Sequence, residues 1–281
     1  MSYHDALLVF DQDALTEDGR RILVHYYLSL YNPSPDFRPF EMKNLRRFGF
    51  YETYPQWRAD HWVLYAMKFD VHEPIVFALS SAIPERRRAA VRDGVSYWNR
   101  AFGTSVIRVI DAPPGVRAPS AAYNVIQWVT SGDFASTSYI QSDPLTGQIL
   151  HADIFVLPET MMDGDLEQQN DHLRYIVAHE VGHALGLRHN FAPGTTATVM
   201  GYFKLPQILK MGREIRVGAP ALAYDRAVVQ HVYLGAPLDL HTLPSFCTDS
   251  QEGCLPFLPM PKESEGMRGG ARADGQPTPE R

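Results

Sequence analysis

Apolar and polar positions alternate in two different ways along this chain, and the rhythm changes near Asp70. Upstream, the stretches LLVF, RILVHYYLSLY, FGFYETY and HWVLYAMKFD are short runs of aromatic and branched residues separated by Asp, Gly and Pro. Such runs read as strands, so residues 1–70 are expected to form a small β-rich region. From Pro74 onward the pattern is mixed. PIVFALS reads as a buried strand, and Ser81 is placed to cap a helix starting near Pro84. Ala90, Val91, Val95, Trp98 and Phe102 then recur at helical spacing, which carries that helix to about Phe102. VIRVID and NVIQWVT look like two more strands, and SYIQSD and ILHADIFVL flank the turn DPLTG as a hairpin.

A second helix is expected from about Asp165 to Leu187. Leu173, Ile176, Val177, Val181, Ala184 and Leu185 give it a broad apolar face, and Gly186 supplies the stop. A loop follows that carries Met200. A third helix, YDRAVVQHVYL, begins near Asp225, whose acid suits a helix N-terminus. Strand, helix, strands, hairpin, helix, loop, helix is an α+β layout over residues 71–258. Residues 259–281 are rich in Gly, Pro and charge, bury almost nothing, and are expected to be disordered.

Composition narrows the possible functions. The chain has 281 residues, enough for one large domain or two modest ones with a real core. Its net charge of -6 makes it a poor nucleic-acid or anionic-membrane binder, since both need a basic face. The basic run Arg86-Arg87-Arg88 falls on the first predicted helix and reads as a solvated face. No apolar stretch reaches the length of a membrane span. The opening MSYHDALLVF lacks the basic start and apolar core of a signal peptide, so a soluble chain is expected, cytosolic or relieved of a targeting segment. Cys247 and Cys254 enclose a polar, Gly-containing loop that could bend to bring the sulfurs together. A disulfide and two unpaired thiols both remain open readings.

The chemistry concentrates in HEVGHALGLRHN, residues 179–190. His179 and His183 are four apart, about 400° of helix rotation, so both rings leave nearly one face and can ligate one ion. Glu180 follows the first of them and projects beside the site without binding it. Gly186 can adopt a conformation other residues resist, which lets the chain turn back. His189 then arrives from outside the helix as a third ligand. Three histidines leave one position open for water, the arrangement of a catalytic rather than a structural zinc. HExxH alone arises by chance; the added glycine and third histidine at these positions make it specific.

HEVGHALGLRH resembles the HExxHxxGxxH signature of the metzincin zinc peptidases. The resemblance implies one catalytic Zn²⁺ and a metzincin-like fold: a mixed twisted sheet with an antiparallel edge strand, an active-site helix, a Met-turn and a C-terminal helix. TVMGY supplies Met200 for the Met-turn, eleven residues after His189, and Tyr202 looks like the tyrosine that astacins and serralysins bring to the metal. By position, Ser138, Tyr139, Ile140, Gln141 and Ser142 are the edge strand that would hold substrate. Together, SSAIPERRRAAVRDGVSYWNRAFG, YNVIQWV, DPLTGQILHADI and HEVGHALGLRHN resemble bacterial zinc metallopeptidases with an EcxA-like catalytic domain, over roughly residues 40–258. Such proteins are usually larger and secreted or surface-attached, so a secreted, periplasmic or surface location is implied.

The expected function is therefore a zinc endopeptidase acting on peptide or protein substrates, with Glu180 as general base and Tyr202 assisting. The rival is a catalytically silent zinc-containing binding or toxin-associated module on the same fold, and the intact Glu180 argues against it. A purely structural metal site would want a fourth Cys or His, and none is evident. His151, His172 and Asp153 are expected to be structural. The pocket wall beyond the metal is expected from Phe203–Ala223.

Overall fold

The computed structural model describes residues 7–29, 34–43, 49–120, 122–130, 135–157, 164–192, 196–239, 241–248 and 254. The tail expected over 259–281 lies outside these residues. The first described elements form an antiparallel hairpin of β1 (Leu7–Leu15) and β2 (Arg21–Ser29). A second small hairpin joins β3 (Gln56–Arg58) and β4 (His61–Val63). The described part of FGFYETY, residues 49–54, makes only isolated bridges, through Phe50 and Glu52, and no strand of its own.

The main sheet is mixed and six-stranded. Its strands are β5 (Lys68–Phe69), β6 (Ile75–Leu79), β7 (Ile107–Asp111), β8 (Asn124–Trp128), β9 (Thr137–Ser142) and β10 (Gln148–Val156). The order β5-β10-β8-β6-β7 is parallel throughout, whereas β9 pairs antiparallel with β10. Central strands of a parallel sheet are covered on both faces. Accordingly Phe77, Ala78, Leu79, Val125, Ile126, Ile154 and Val156 are fully buried.

Among the described residues there are four helices, of which the first two lie against the sheet. α1 (Glu85–Phe102) follows Pro84, which offers no side-chain cap, so the capping expected of Ser81 is not made. α1 lies close against α2 (Leu166–Ala184) at Gly94, where a β-carbon would stand 2.8 Å from the carbonyl of Arg174. The Trp98 indole N–H donates to the carbonyl of Ala178 at 2.8 Å across the same contact. α2 starts with a capping box of Asp165 and Gln168. It is the central helix, buried almost all round from Asn170 to Ala184. Its one buried cation, Arg174, is matched by Asp171, Asp93 and Glu167.

α3 (Leu205–Arg216) is a helix that the sequence pattern did not predict. Pro206 and Gly212 look like breakers there. Pro206 instead sits at the helix start, where its missing N–H costs nothing. Gly212 is the contact point with α2: a β-carbon would lie 1.8 Å from the carbonyl of Asp171. α4 (Ala223–Leu234) ends on Gly235 in the left-handed region and packs on α1, with Gln230 donating to the Ala101 carbonyl at 2.9 Å. Among the described residues, no helix is long and apolar enough to cross a membrane.

Candidate metal centre

α2 ends at Ala184, so His179 and His183 occupy its last two turns on one face. Gly186 follows at φ +95°, and a β-carbon there would meet the carbonyl of Met67 at 2.0 Å. Glycine is required on both counts, conformation and space. The turn brings His189 back toward the helix. His183 Nε2 stands 3.1 Å from His179 Nε2 and 3.0 Å from His189 Nε2, and one ring nitrogen of each of the three lies within 4.8 Å of the others.

Backbone carbonyls orient two of the rings. His179 Nδ1 lies 2.8 Å from the Val199 carbonyl, and His183 Nδ1 lies 2.8 Å from the Leu187 carbonyl. A carbonyl only accepts, so each Nδ1 carries the proton and each Nε2 presents a lone pair to the centre. Burial, and then His183 and His189, hold His179 well below the usual imidazole range. Lone pairs converging at this separation repel unless a cation lies between them. Three imidazole donors, two of them held in place by hydrogen bonds to backbone carbonyls, fit a zinc ion.

The histidines form one side of an open cavity of about 300 Å³. Its wall includes Glu180, Tyr202, Tyr175, Tyr51 and the segment Ala135–Ser138. Burial lifts the Glu180 carboxyl to about 8, against a hydrogen bond from Ser138 that lowers it. Nearby positive charge would pull it down. The Tyr202 ring lies 4.7 Å from that of His189 and 5.8 Å from that of His179. Tyr51 approaches from the other side, its hydroxyl 3.4 Å from His183 Nδ1.

Behind the histidines, Asp225 of α4 is fully buried and organises the loop before Met200. Its carboxylate accepts from Thr198 and Tyr97 hydroxyls and, at 2.9 Å, from the backbone N–H of Val199. The same Val199 turns its carbonyl to His179. Burial raises the Asp225 carboxyl to about 6, opposed by the bonds from Thr198, Tyr97 and Val199. Met200 is fully buried against Gly182, and its carbonyl accepts from the N–H of Asn190 at 2.8 Å. Cys247 and Cys254 are joined by a disulfide, and the backbone of Cys247 pairs with Asn190 and Phe191 just after the third histidine.

Residues 162–234 match the Met-zincin family model. That Met-zincin span carries the three histidines, Glu180, Met200, Tyr202 and Asp225. None of the curated proteins matches the chain. Among solved structures, the chain is similar to archaemetzincin from Methanopyrus kandleri at 14% identity and a TM-score of 0.37, over 58% of this chain and 97% of that one.

Of the residues singled out in the sequence, His179, Glu180, His183, His189, Tyr202 and Ser138 meet at this one cavity. Tyr139, Ile140, Gln141 and Ser142 continue along β9 beyond it, with Tyr139 turned outward against Phe155. The wall expected from Phe203–Ala223 is not there: that stretch is mostly α3, which docks on α2 instead. His151 pairs with Asp153 at 3.0 Å away from the cavity, and His172 is also outside its lining. Asp225 lies in the first turn of α4 as expected, and its carboxylate also binds the Thr198 hydroxyl and the Val199 N–H of the loop before Met200. The contributors that went unrecognised include Tyr51, Tyr175 and Ala135–Thr137. A lone tyrosine in a β-like run and a loop of small residues carry no signal of their own.

Proposed function

We propose that this protein is a zinc-dependent endopeptidase. His179, His183 and His189 hold one zinc ion, and Glu180 is the general base. The observation that carries the reading is the convergence of the three Nε2 atoms in one cavity wall with the Glu180 carboxylate. Bound zinc would supply a water of lowered pKa and polarise the scissile carbonyl. Glu180 takes the proton of the attacking water and passes it to the leaving amine. Tyr202 donates a hydrogen bond to the carbonyl oxygen as charge develops on it. Met200, packed under Gly182, forms the floor of the site as a Met-turn.

Substrate lies extended along β9. Among the described residues β9 pairs with β10 alone, which leaves its other edge to accept a peptide by strand addition, with little dependence on side chains. Ser138, at the near end of β9, touches Glu180, so the bond to be cut sits over the start of the strand. The narrower likeness to EcxA-like bacterial metallopeptidases belongs to the same proposal. A silent binding module would have no use for a buried carboxylate in the wall of the metal cavity.

The deciding experiment combines metal content with cleavage of a mixed peptide library. One zinc per chain and cleavage at internal bonds are expected. A fully zinc-loaded protein that cuts neither the library nor denatured proteins would leave the binding module as the reading.

A further inference from the structure

The third histidine is delivered by a short loop, Gly186–His189, and that loop is gripped by a segment far upstream. Tyr51 donates its backbone N–H to the Gly186 carbonyl at 2.7 Å, and Arg188 donates its own to the Gly49 carbonyl at 3.2 Å. Phe50 and Leu187 form an antiparallel bridge between them. The Arg188 side chain completes the grip. Its Nε donates to the Phe50 carbonyl at 3.1 Å, its guanidinium binds the Glu52 carboxylate at 2.7 Å, and it lies 5.5 Å from the Tyr51 ring centre. Glu52 is 136 residues away from Arg188 in the chain.

Arg188 stands between two backbone positions that matter to the metal centre. On one side is Leu187, whose carbonyl orients His183. On the other is His189 itself. Moving the Arg188 backbone therefore moves one ligand directly and the hydrogen-bond acceptor of another. We propose that Glu52 and Arg188 are a positioning pair that sets the loop bearing His189 and the Leu187 carbonyl, and so tunes metal affinity from outside the ligand set. This rests on reading the three histidines as zinc ligands.

Both side chains are about three-quarters buried, at 28% and 26% exposure, so the pair is shielded more than a surface ion pair. Removing one partner leaves the other charge poorly solvated beside Tyr51. Groups that orient metal ligands typically change affinity about 10- to 100-fold when lost. Neither Glu52 nor Arg188 lines the cavity, and Arg188 meets its wall at the back of the Tyr51 ring, so the effect of the pair should appear in metal binding before catalysis.

The test is zinc affinity by chelator competition on the full chain, with the absorption spectrum of the cobalt-substituted protein as a geometric readout. Glu52→Gln should weaken zinc about 3- to 10-fold, and Glu52→Arg or Arg188→Glu about 10- to 100-fold. The swapped double variant, Glu52→Arg with Arg188→Glu, should recover most of that loss and restore the cobalt spectrum. Unchanged affinity in the single reversals overturns the proposal. So does a loss that the swap leaves unrepaired, because it would then belong to the fold rather than to the pair. Should a reversal fail to fold, Glu52→Gln decides, and wild-type affinity in that variant overturns the pairing. Wild-type protein that binds no zinc would bring down the zinc reading itself, which separates the two failures.

Discussion

The sulfur of Met200 occupies the space that a side chain at Gly182 would need. A β-carbon on Gly182 would stand 2.2 Å from Met200 Sδ and 2.7 Å from the Trp98 ring. Gly182 lies between His179 and His183, so the absence of a side chain there lets the methionine lie directly under the ligand-bearing turns. Gly182→Ala should therefore cost about 1–3 kcal/mol, since both neighbours are fully buried and the Trp98 ring cannot yield. Adding Met200→Ala should relieve part of the clash, so the two changes should be less than additive. Thermal unfolding of the two singles and the double checks this; strict additivity would mean the residues do not share the space.

Glu180→Gln should keep zinc and fold while abolishing peptide cleavage. Glutamine is nearly isosteric and suits a helix, but it cannot take the water proton, a contribution of about 10²–10⁴ in rate. His183→Ala removes a ligand and should lose zinc and activity together. Metal analysis beside a peptide assay separates the two variants. Cleavage retained by Glu180→Gln would place the general base elsewhere.

Tyr202→Phe should lower kcat far more than it raises KM, because its hydroxyl serves the transition state rather than bound substrate. The ring contacts with His179 and His189 survive the change, so zinc content should not move. Wild-type kcat in this variant would reduce Tyr202 to a packing residue.

Asp225 should impose a recognisable pH dependence on stability. Its carboxyl is raised to about 6 from an ordinary 3.8, chiefly by burial. A raised acid keeps its proton longer folded than unfolded. Its contribution is thus fully present below about pH 4 and is lost as pH climbs through about 6, on the order of 2–3 kcal/mol. The side chains facing it, Tyr97, Tyr175 and Tyr224, are tyrosines pushed upward by burial and stay neutral across that window. Denaturant unfolding of zinc-free wild type and Asp225→Asn across pH 4–7 should give a difference that shrinks with rising pH. Parallel curves would show that this carboxyl is not shifted.

What the sequence determined alone was whatever depends on local spacing. Two histidines at helical separation, a glycine, and a third histidine must meet once the helix forms, because 3.6 residues per turn and one left-handed residue leave the chain little choice. The hairpin of β9 and β10 and the helices α1, α2 and α4 were legible for the same reason: their apolar periods and turn residues are local. Tertiary structure decided what depends on partners far away in the chain. Nothing near Glu52 announces Arg188, and nothing near Asp225 announces the Val199 loop, since those pairings exist only when β-rich segment, central helix and C-terminal helix pack together. α3 belongs to this second class as well. Its proline and glycine read as breaks until α2 lies against it, and then Gly212 becomes the one residue small enough to touch the backbone of Asp171.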